Sequence, residues 1–338
     1  MTATHLLRPV PPRNTIPEIM RLLPDAPRVR QLRHWLGIEL THTFFQNATA
    51  MPYGSGDEVD LARAWYFAEA SLLAYFTEED TRAALERIDF RLVRWVQSRR
   101  YDGDMFIAEN DTDVWVVYRG TEPLDIRDWL VDFQWFKTQV DRGKSRVHQG
   151  FYKQFMDLEE SGLIGRWLRD NAGQRRVWFT GHSLGGALAS YALYHYALSA
   201  GKCVDIARTR GCTFGCPLVG NIHFASAVRP HIRRFVYDND IVPRVPPSRF
   251  GYEPAGALTF IDETGSVTET QSGDPDPDLP WISAFTPEDV WISLQTLPEL
   301  LYQARYGRAF GQLDPFLDHS MAYYIAFIWN QAIRSRNG

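Results

Sequence analysis

Residues 177–189, with the sequence VWFTGHSLGGALA, constrain the fold of this chain more than any other segment. An apolar run typical of a buried strand ends in a Gly-X-Ser-X-Gly turn, and a helix rich in alanine and leucine follows at once. Gly181 and Gly185 carry no side chains that would keep the strand and the helix apart. The pattern predicts that Ser183 is a nucleophile in a strained turn, with its hydroxyl above the sheet and beside a helix N-terminus that stabilises negative charge. The alternative is an ordinary turn serine.

Strand patterns alternate with helical patterns along most of the chain. Strand-like runs occur at 90–97, 105–108, 114–118, 176–180, 212–214 and 235–237, and the run at 114–118 is apolar enough for a central strand. Helical patterns cover 59–76, 151–169 and 184–199, with Thr77 as an N-cap, and two more helices are expected near 288–306 and 318–333. Residues 258–262 and 266–270 flank a turn and predict a hairpin. This alternation predicts an α/β fold with a mostly parallel central sheet and helices on both faces.

Residues 1–57 differ from the rest of the chain, because six prolines from Pro9 to Pro27 interrupt any early helix. We expect a proline-rich N-terminal arm over 1–57, with a short helix near 31–40, that wraps a catalytic domain over 58–338. We expect the arm to add stability without taking part in the chemistry.

The composition excludes several classes of protein and site. A net charge of −5 argues against nucleic acid as a partner. The cysteines, Cys203, Cys212 and Cys216, lack the spacing of a zinc site and the pairing of a disulfide framework, so we expect buried free thiols and no metal. Neither an N-terminal apolar region nor a run of about 18 apolar residues occurs, so we expect no signal peptide, no membrane span and, by default, a cytoplasmic protein. Export without a signal is the alternative.

Five segments, in this order, resemble the class 3 lipases, which are the fungal-type lipase family of α/β-hydrolases. They are VYRGT at 117–121, VHQGF at 147–151, GHSLGGA at 181–187, TFGCPLVGN at 213–221 and DIVPRVPP at 240–247. The resemblance covers roughly residues 60–330. It implies an α/β-hydrolase fold, in which the Gly-X-Ser-X-Gly turn is a nucleophile elbow and a lid helix covers the site.

Hydrolysis by Ser183 needs a histidine base and a carboxylate that orients it, in the chain order Ser, Asp or Glu, His. His319 is the only histidine after the candidate acids. Asp240 follows a predicted strand, and Asp238 competes for the same role; the match with the family's Asp-Ile-Val-Pro segment selects Asp240. An acid that only caps the loop and a histidine that only caps a helix are the structural alternatives. We expect the side chain of His182 to point away from the nucleophile and to brace the elbow.

The oxyanion hole of such a site needs two backbone N–H donors. Leu184 supplies one, since it directly follows the nucleophile. The resemblance places the second at Thr121, whose hydroxyl adds a third hydrogen bond, and the alternative for Thr121 is a plain turn residue after Gly120.

The resemblance also implies a lid directly after the oxyanion residue, at 122–136. At helical spacing, Ile126, Trp129, Leu130 and Phe133 share one apolar face of that segment. A helix of this kind covers the serine in water and turns its apolar face to a lipid surface. The alternative is a fixed helix packed into the core.

Two departures from the family pattern concern the substrate. Leu218 stands where arginine is common, and the 79 residues from Asp240 to His319 are more than usual in the compact fungal members. The added chain includes the loop 274–278, which is either a calcium site or, as we favour, a solvated acidic loop. These departures bear on the substrate and leave the catalytic set unchanged.

The resemblance implies a serine hydrolase that cleaves carboxylic esters of lipids, as triacylglycerol lipases do, without a cofactor. The alternatives are a phospholipase A1, a general carboxylesterase and, more remotely, a non-catalytic lipid-binding protein. The expected partners are a lipid ester substrate and, through peripheral contact, a lipid interface. The sequence carries no prediction of the oligomeric state.

Overall fold

A central sheet of eight strands organises the chain. The computed structural model describes Leu7, Arg8, Val10 and residues 42–98, 100–101, 103–121, 136–159, 162–246, 248–270 and 318–337. The strands are β1 (Arg91–Gln97), β2 (Asp104–Glu109), β3 (Asp113–Tyr118), β4 (Lys137–Gln139), β5 (Arg146–His148), β6 (Arg176–His182), β7 (Thr209–Phe214), β8 (Ile232–Tyr237), β9 (Ala257–Ile261) and β10 (Val267–Glu269). The spatial order in the large sheet is β1-β2-β3-β6-β7-β8-β9-β10, while β4 and β5 form a separate hairpin.

The centre of the sheet is parallel, as predicted. Strands β3, β6, β7, β8 and β9 pair in parallel, and antiparallel pairs occur only towards the two edges of this described sheet. Every residue of β3 is buried, because helices cover both faces of this central strand. The hairpin expected around residue 264 is formed by β9 and β10.

The helices divide between the two faces of the sheet. They are α1 (Leu61–Leu73), α2 (Glu78–Glu86), α3 (Gln149–Glu159), α4 (Leu163–Asn171), α5 (Leu184–Leu193), α6 (Ile222–Val228) and α7 (Met321–Asn337). Helices α1, α2 and α7 share one core, in which the rings of Trp65 and Trp329 meet at 4.6 Å. Helices α3 to α6 share the core on the other face.

Local signals explain where several helices begin and end. Helix α2 begins with the predicted cap Thr77, which forms a capping box with Asp80. The prediction of one helix over 151–169 is wrong, because α3 ends at Glu159 and Gly162, with a φ of +59°, precedes α4. A left-handed residue cannot continue a right-handed helix, and glycine adopts that conformation at little cost. Helix α5 continues as a π-helical turn over Tyr194–Leu198.

The described part of the N-terminal arm packs against α1 and α7. The guanidinium of Arg8 lies 5.0 Å from the ring centroid of Trp65 and 4.8 Å from that of Trp329. It also forms an ion pair of 2.8 Å with Glu69, a carboxylate on α1 that is shielded from solvent. Asn330 on α7 bonds both the backbone N–H and the carbonyl of Arg8. The expected helix at 31–40, the loop at 274–278 and the helix at 288–306 lie outside the described residues.

Within the described ranges, every helix is too short or too polar to cross a bilayer.

Candidate active site

Ser183 lies in the tight turn between β6 and α5. Its backbone has φ 57° and ψ −129°, an unusual conformation for a residue with a side chain. A Cβ on Gly181 would lie 2.4 Å from the backbone of Gly185, and a Cβ on Gly185 would lie 2.2 Å from the carbonyl oxygen of Tyr118. Both glycines are therefore required for the close approach of β3, β6 and α5, which holds the serine in its strained turn.

His319 and Asp240 form a buried pair at the carboxyl edge of the parallel sheet. Asp240 follows β8, and His319 lies two residues before the start of α7. The Nδ1 atom of His319 is 2.9 Å from Oδ2 and 3.0 Å from Oδ1 of Asp240. The competing Asp238 is turned elsewhere, since its carboxylate accepts a hydrogen bond from the amide of Asn239. The structure thus brings together the histidine and the aspartate selected from the sequence.

Two further donors hold the carboxylate of Asp240. The hydroxyl of Tyr324, on α7, donates to Oδ2 at 2.6 Å, and the backbone N–H of Val242 donates to Oδ1 at 2.9 Å. Burial, followed by the nearby charge of Asp240, raises the pKa of Tyr324 well above its ordinary value, so the hydroxyl keeps its proton. Sequence analysis missed Tyr324. The available signal was its place five residues after His319, on the helix that follows the histidine.

The residue before the nucleophile connects two distant parts of the site. The Nε2–H of His182 donates to the carbonyl oxygen of His319 at 2.7 Å, and the hydroxyl of Tyr75 donates to Nδ1 of His182 at 3.0 Å. A neutral imidazole makes both bonds, since its Nε2–H donates while its Nδ1 accepts. Burial and, after it, the neighbouring His319 hold the pKa of His182 well below the usual range of histidine. His182 braces the elbow, as expected, and Tyr75 is a second residue that sequence analysis missed.

The other nitrogen of His319 is available for proton transfer. Its Nε2 is buried and has no hydrogen-bond partner among the residues that the structure describes. Gly215, with a φ of +55°, lies beneath the pair, and a Cβ there would stand 2.8 Å from Oδ2 of Asp240 and from Nδ1 of His319. The absence of a side chain at Gly215 therefore gives the imidazole and the carboxylate room to meet.

The loop after β3 lies against the nucleophile. A Cβ on Gly120 would be 3.1 Å from the Cβ of Ser183 and 2.4 Å from the carbonyl oxygen of His182. Thr121 is the next residue, and Leu184 is the first residue of α5. Leu184 is therefore the chain neighbour of Ser183, and Thr121 follows a glycine that lies against Ser183. The predicted lid residues Ile126, Trp129, Leu130 and Phe133 fall outside the described part of the chain.

The described residues contain no group of three or more histidine, cysteine or acidic side chains that could hold a metal ion. All three cysteines are free. Burial raises the pKa of the Cys216 thiol to about 12, which leaves it protonated near neutral pH. Cys216 packs against Gly186 behind the elbow, where it fills space in the core.

Comparison with known proteins finds similarity to one family. The model of the family "Lipase (class 3)" matches residues 115–250. A lipase from Rhizomucor miehei is 30% identical in an alignment of 191 positions that covers 53% of this chain and 51% of that protein. A triacylglycerol lipase from Arabidopsis thaliana is 29% identical in an alignment of 218 positions that covers 50% of this chain and 41% of that protein.

The solved structures agree with the sequence relatives. A propeptide complex of a Rhizomucor miehei lipase deletion mutant has a TM-score of 0.57 and 26% identity, covering 67% of this chain and 75% of that one. The chain spans about half the length of the two curated relatives described here. The family match includes Ser183 and Asp240, while His319 lies beyond it.

Proposed function

Since the chain belongs to the class 3 lipase family of α/β-hydrolases, we propose that it hydrolyses carboxylic esters of lipids, with acylglycerols as the substrate class. The observation that carries this proposal is the buried His319–Asp240 pair, which is backed by Tyr324 and hydrogen-bonded through the backbone of His319 to His182, the residue that precedes Ser183. A set of this kind activates a serine hydroxyl without a cofactor.

The first half of the proposed reaction forms an acyl-enzyme. The Oγ atom of Ser183 attacks the ester carbonyl carbon while Nε2 of His319 takes the hydroxyl proton. The carbonyl electron pair moves to the oxygen, and the N–H groups of Leu184 and Thr121 donate to that oxyanion. The intermediate then collapses, the carbon–oxygen bond to the alcohol breaks, and the alcohol leaves with the proton from His319.

The second half releases the acid. A water molecule gives a proton to Nε2 of His319 and attacks the acyl carbon, which forms a second oxyanion in the same hole. When this intermediate collapses, Ser183 regains its proton from His319 and the fatty acid leaves. Throughout the cycle, Nδ1–H of His319 donates to Asp240, which stabilises the imidazolium that forms in each half.

Burial favours this chemistry energetically. Charges interact more strongly in a site from which water is excluded, and Asp240 is fully shielded from solvent. The hydroxyl of Tyr324 and the backbone N–H of Val242 hold the carboxylate of Asp240 in place before the reaction begins. The site therefore needs no reorganisation when charge develops on His319. Removal of one of the two oxyanion donors should lower the rate ~10²–10³-fold.

The test is hydrolysis of p-nitrophenyl esters from short to long acyl chains, above and below their solubility, by the wild type and by Ser183→Ala. We expect a preference for long chains and loss of activity in the variant. A rate increase at the point where an interface forms is the result expected of the predicted lid.

Other outcomes distinguish the alternatives. Activity confined to short soluble esters indicates a carboxylesterase, and release of only the sn-1 acyl chain from phospholipids indicates a phospholipase A1. If a fluorophosphonate probe fails to label Ser183 and no ester is cleaved, the proposed function is wrong.

A further inference from the structure

A second buried acid lies directly beside the histidine base. Asp318 precedes His319 in the chain, and its Oδ2 atom accepts a hydrogen bond of 3.1 Å from the backbone N–H of Asn239. Asn239 in turn precedes Asp240, so two consecutive residues on one segment meet two consecutive residues on the other. Asp318 is fully shielded from solvent, as Asp240 is. The reaction proposed for Ser183 does not use this second carboxylate.

Additional negative charge at this position opposes general base catalysis. A buried carboxylate stabilises a protonated imidazole, and a base that already holds a proton cannot accept one from Ser183. Asp238, on the loop that carries Asp240, adds a third carboxylate, which accepts from the side-chain amide of Asn239 at 3.1 Å. Three acids therefore favour the charged form of His319, which is the form that is inactive as a base.

Arg244 places a positive charge among these acids. It ends the short 3₁₀ turn that follows Asp240, and its Nη2 donates to the backbone carbonyl oxygen of Asp238 at 3.3 Å. Burial lowers the pKa of its guanidinium, while the charges of Asp240, Asp238 and Asp318 oppose that shift. The side chain stays charged near neutral pH, because the ordinary pKa of a guanidinium lies above about 12.

The other titratable side chains that face His319 from the described elements are neutral. The ring centroid of His182 lies 4.3 Å from that of His319, and burial holds the pKa of His182 well below its usual range. Burial likewise keeps the hydroxyl of Tyr324 protonated. Tyr75, beyond His182, keeps its proton in the hydrogen bond that it donates to that ring. Within the described residues, three carboxylates and one arginine therefore set the balance of charge at the base.

We propose that Arg244 is a positioning residue that offsets the buried charge of Asp318 and thereby sets the pH range in which His319 acts as a base. Charges interact strongly where water is excluded, so a single buried charge shifts the proton equilibrium of a neighbouring imidazole. Arg244 acts through His319 and needs no contact with substrate. The inference rests on the proposed function only in requiring that His319 activates Ser183.

The test is the rate at which a fluorophosphonate labels Ser183 in the full chain, measured from about pH 5 to about pH 9. The acid limb of this profile reports protonation of the base in the free enzyme, so its midpoint is the readout. Arg244→Gln leaves the carboxylates uncompensated and should move the midpoint up by about one pH unit. Labelling below both midpoints should then fall about tenfold, while the rate on the alkaline plateau should change less than about threefold.

Asp318→Asn tests the other charge of the pair. The new amide oxygen can still accept from Asn239 but carries no charge, so the midpoint should move down by about one pH unit. Combining Arg244→Gln with Asp318→Asn should return the midpoint close to its wild-type value, because opposite charges leave together. Arg244→Lys keeps the positive charge and should leave the midpoint unchanged.

Arg175→Gln is the matched control. It removes an arginine that pairs with Glu109 at 2.8 Å, at the amino edge of β3 and away from Ser183, and it should leave the midpoint in place. The proposal is overturned if Arg244→Gln lowers labelling equally at every pH, which is the result expected of structural support alone. It is also overturned if Asp318→Asn leaves the midpoint unshifted, and this second variant decides the question should Arg244→Gln fail to fold.

The labelling profile is independent of any ester substrate. The expected shifts in a protein that cleaves no lipid ester would support the role of Arg244 and refute the proposed function. Lipid ester hydrolysis with unshifted midpoints would do the reverse, and absence of labelling from the wild type at every pH would refute both.

Discussion

The hydroxyl of Tyr324 stands 2.6 Å from Oδ2 of Asp240, although the two residues are 84 positions apart in the chain. The same oxygen of Tyr324 accepts a hydrogen bond from the backbone N–H of Tyr237 at the end of β8. One hydroxyl therefore ties the last helix both to the strand that precedes the acid and to the acid itself. This contact makes α7 part of the support of the active site.

Replacing Tyr324 with phenylalanine should lower kcat roughly tenfold and leave KM nearly unchanged. Hydrogen bonds to charged groups contribute about 1.5–3 kcal/mol, and 1.36 kcal/mol in the barrier is tenfold in rate. The hydroxyl orients Asp240 and does not contact substrate, so binding should persist. Steady-state kinetics on a soluble ester measure the effect. Tyr66→Phe is the control, since it removes a buried hydroxyl that donates to the carbonyl of Met51; an equal loss there would refute the positioning role.

Gly215→Ala should abolish most activity while the protein still folds. The new Cβ would lie 2.8 Å from Asp240 and from His319, so one of them must move, and a displacement of about 1 Å can cost ~10²-fold in rate. Gly173→Ala is a close control, because Gly173 has the similar φ of +58° with nothing within 4 Å. Both variants should lose about 1 kcal/mol or more of stability from the left-handed backbone. Activity that falls equally in both would contradict the steric account.

His182 should make the fold sensitive to acid. Its pKa is depressed in the folded state, so below the unfolded value of about 6.5 the unfolded chain binds a proton that the folded chain does not. The contribution of His182 to the free energy of unfolding is therefore complete above pH 6.5. It falls by up to about 2 kcal/mol as the pH drops from 6.5 to 5. His182→Gln, which cannot titrate, should show a shallower loss in urea unfolding measured at pH 5 and pH 7.5. Burial also lowers the pKa values of His195 and His231, but both residues are present in the wild type and in the variant, so their effect cancels in the comparison.

Arg8→Ala should destabilise the chain by about 3 kcal/mol without changing kcat. The substitution leaves the shielded carboxylate of Glu69 with His42 as its remaining charged partner, at 2.8 Å. Arg82→Ala removes the exposed pair with Glu78 and should cost less than about 1 kcal/mol. Thermal unfolding checks both, together with a chain that begins at Asp57. An unchanged melting temperature in that shortened chain would disprove the hypothesis that the arm adds stability.

The sequence was informative where chemistry limits the choice of residue. A strand, a Gly-X-Ser-X-Gly turn and a helix in succession are compatible with few folds, so the fold could be predicted. Only one histidine follows Asp240, so the choice of His319 as the base for Ser183 could be made as well. Choosing Asp240 over Asp238 needed the family resemblance, because alternation along β8 places both near the same edge. Tyr324 and Tyr75 were missed, since tyrosines in apolar helices are ordinary core residues by pattern. Their role depends on which distant backbone or carboxylate the hydroxyl meets, which only tertiary packing decides.

The hydrogen bond between His182 and the carbonyl of His319 spans 137 positions of sequence. Contacts of such long range form late when a chain folds, because loop closure must first be offset by other interactions. We therefore expect refolding to restore the sheet, seen by far-ultraviolet circular dichroism, before it restores reaction with a fluorophosphonate. Recovery of the reaction with the fluorophosphonate would then report the final docking of the carboxyl-terminal helix. A chain arrested before that step would be compact but would not react with the probe.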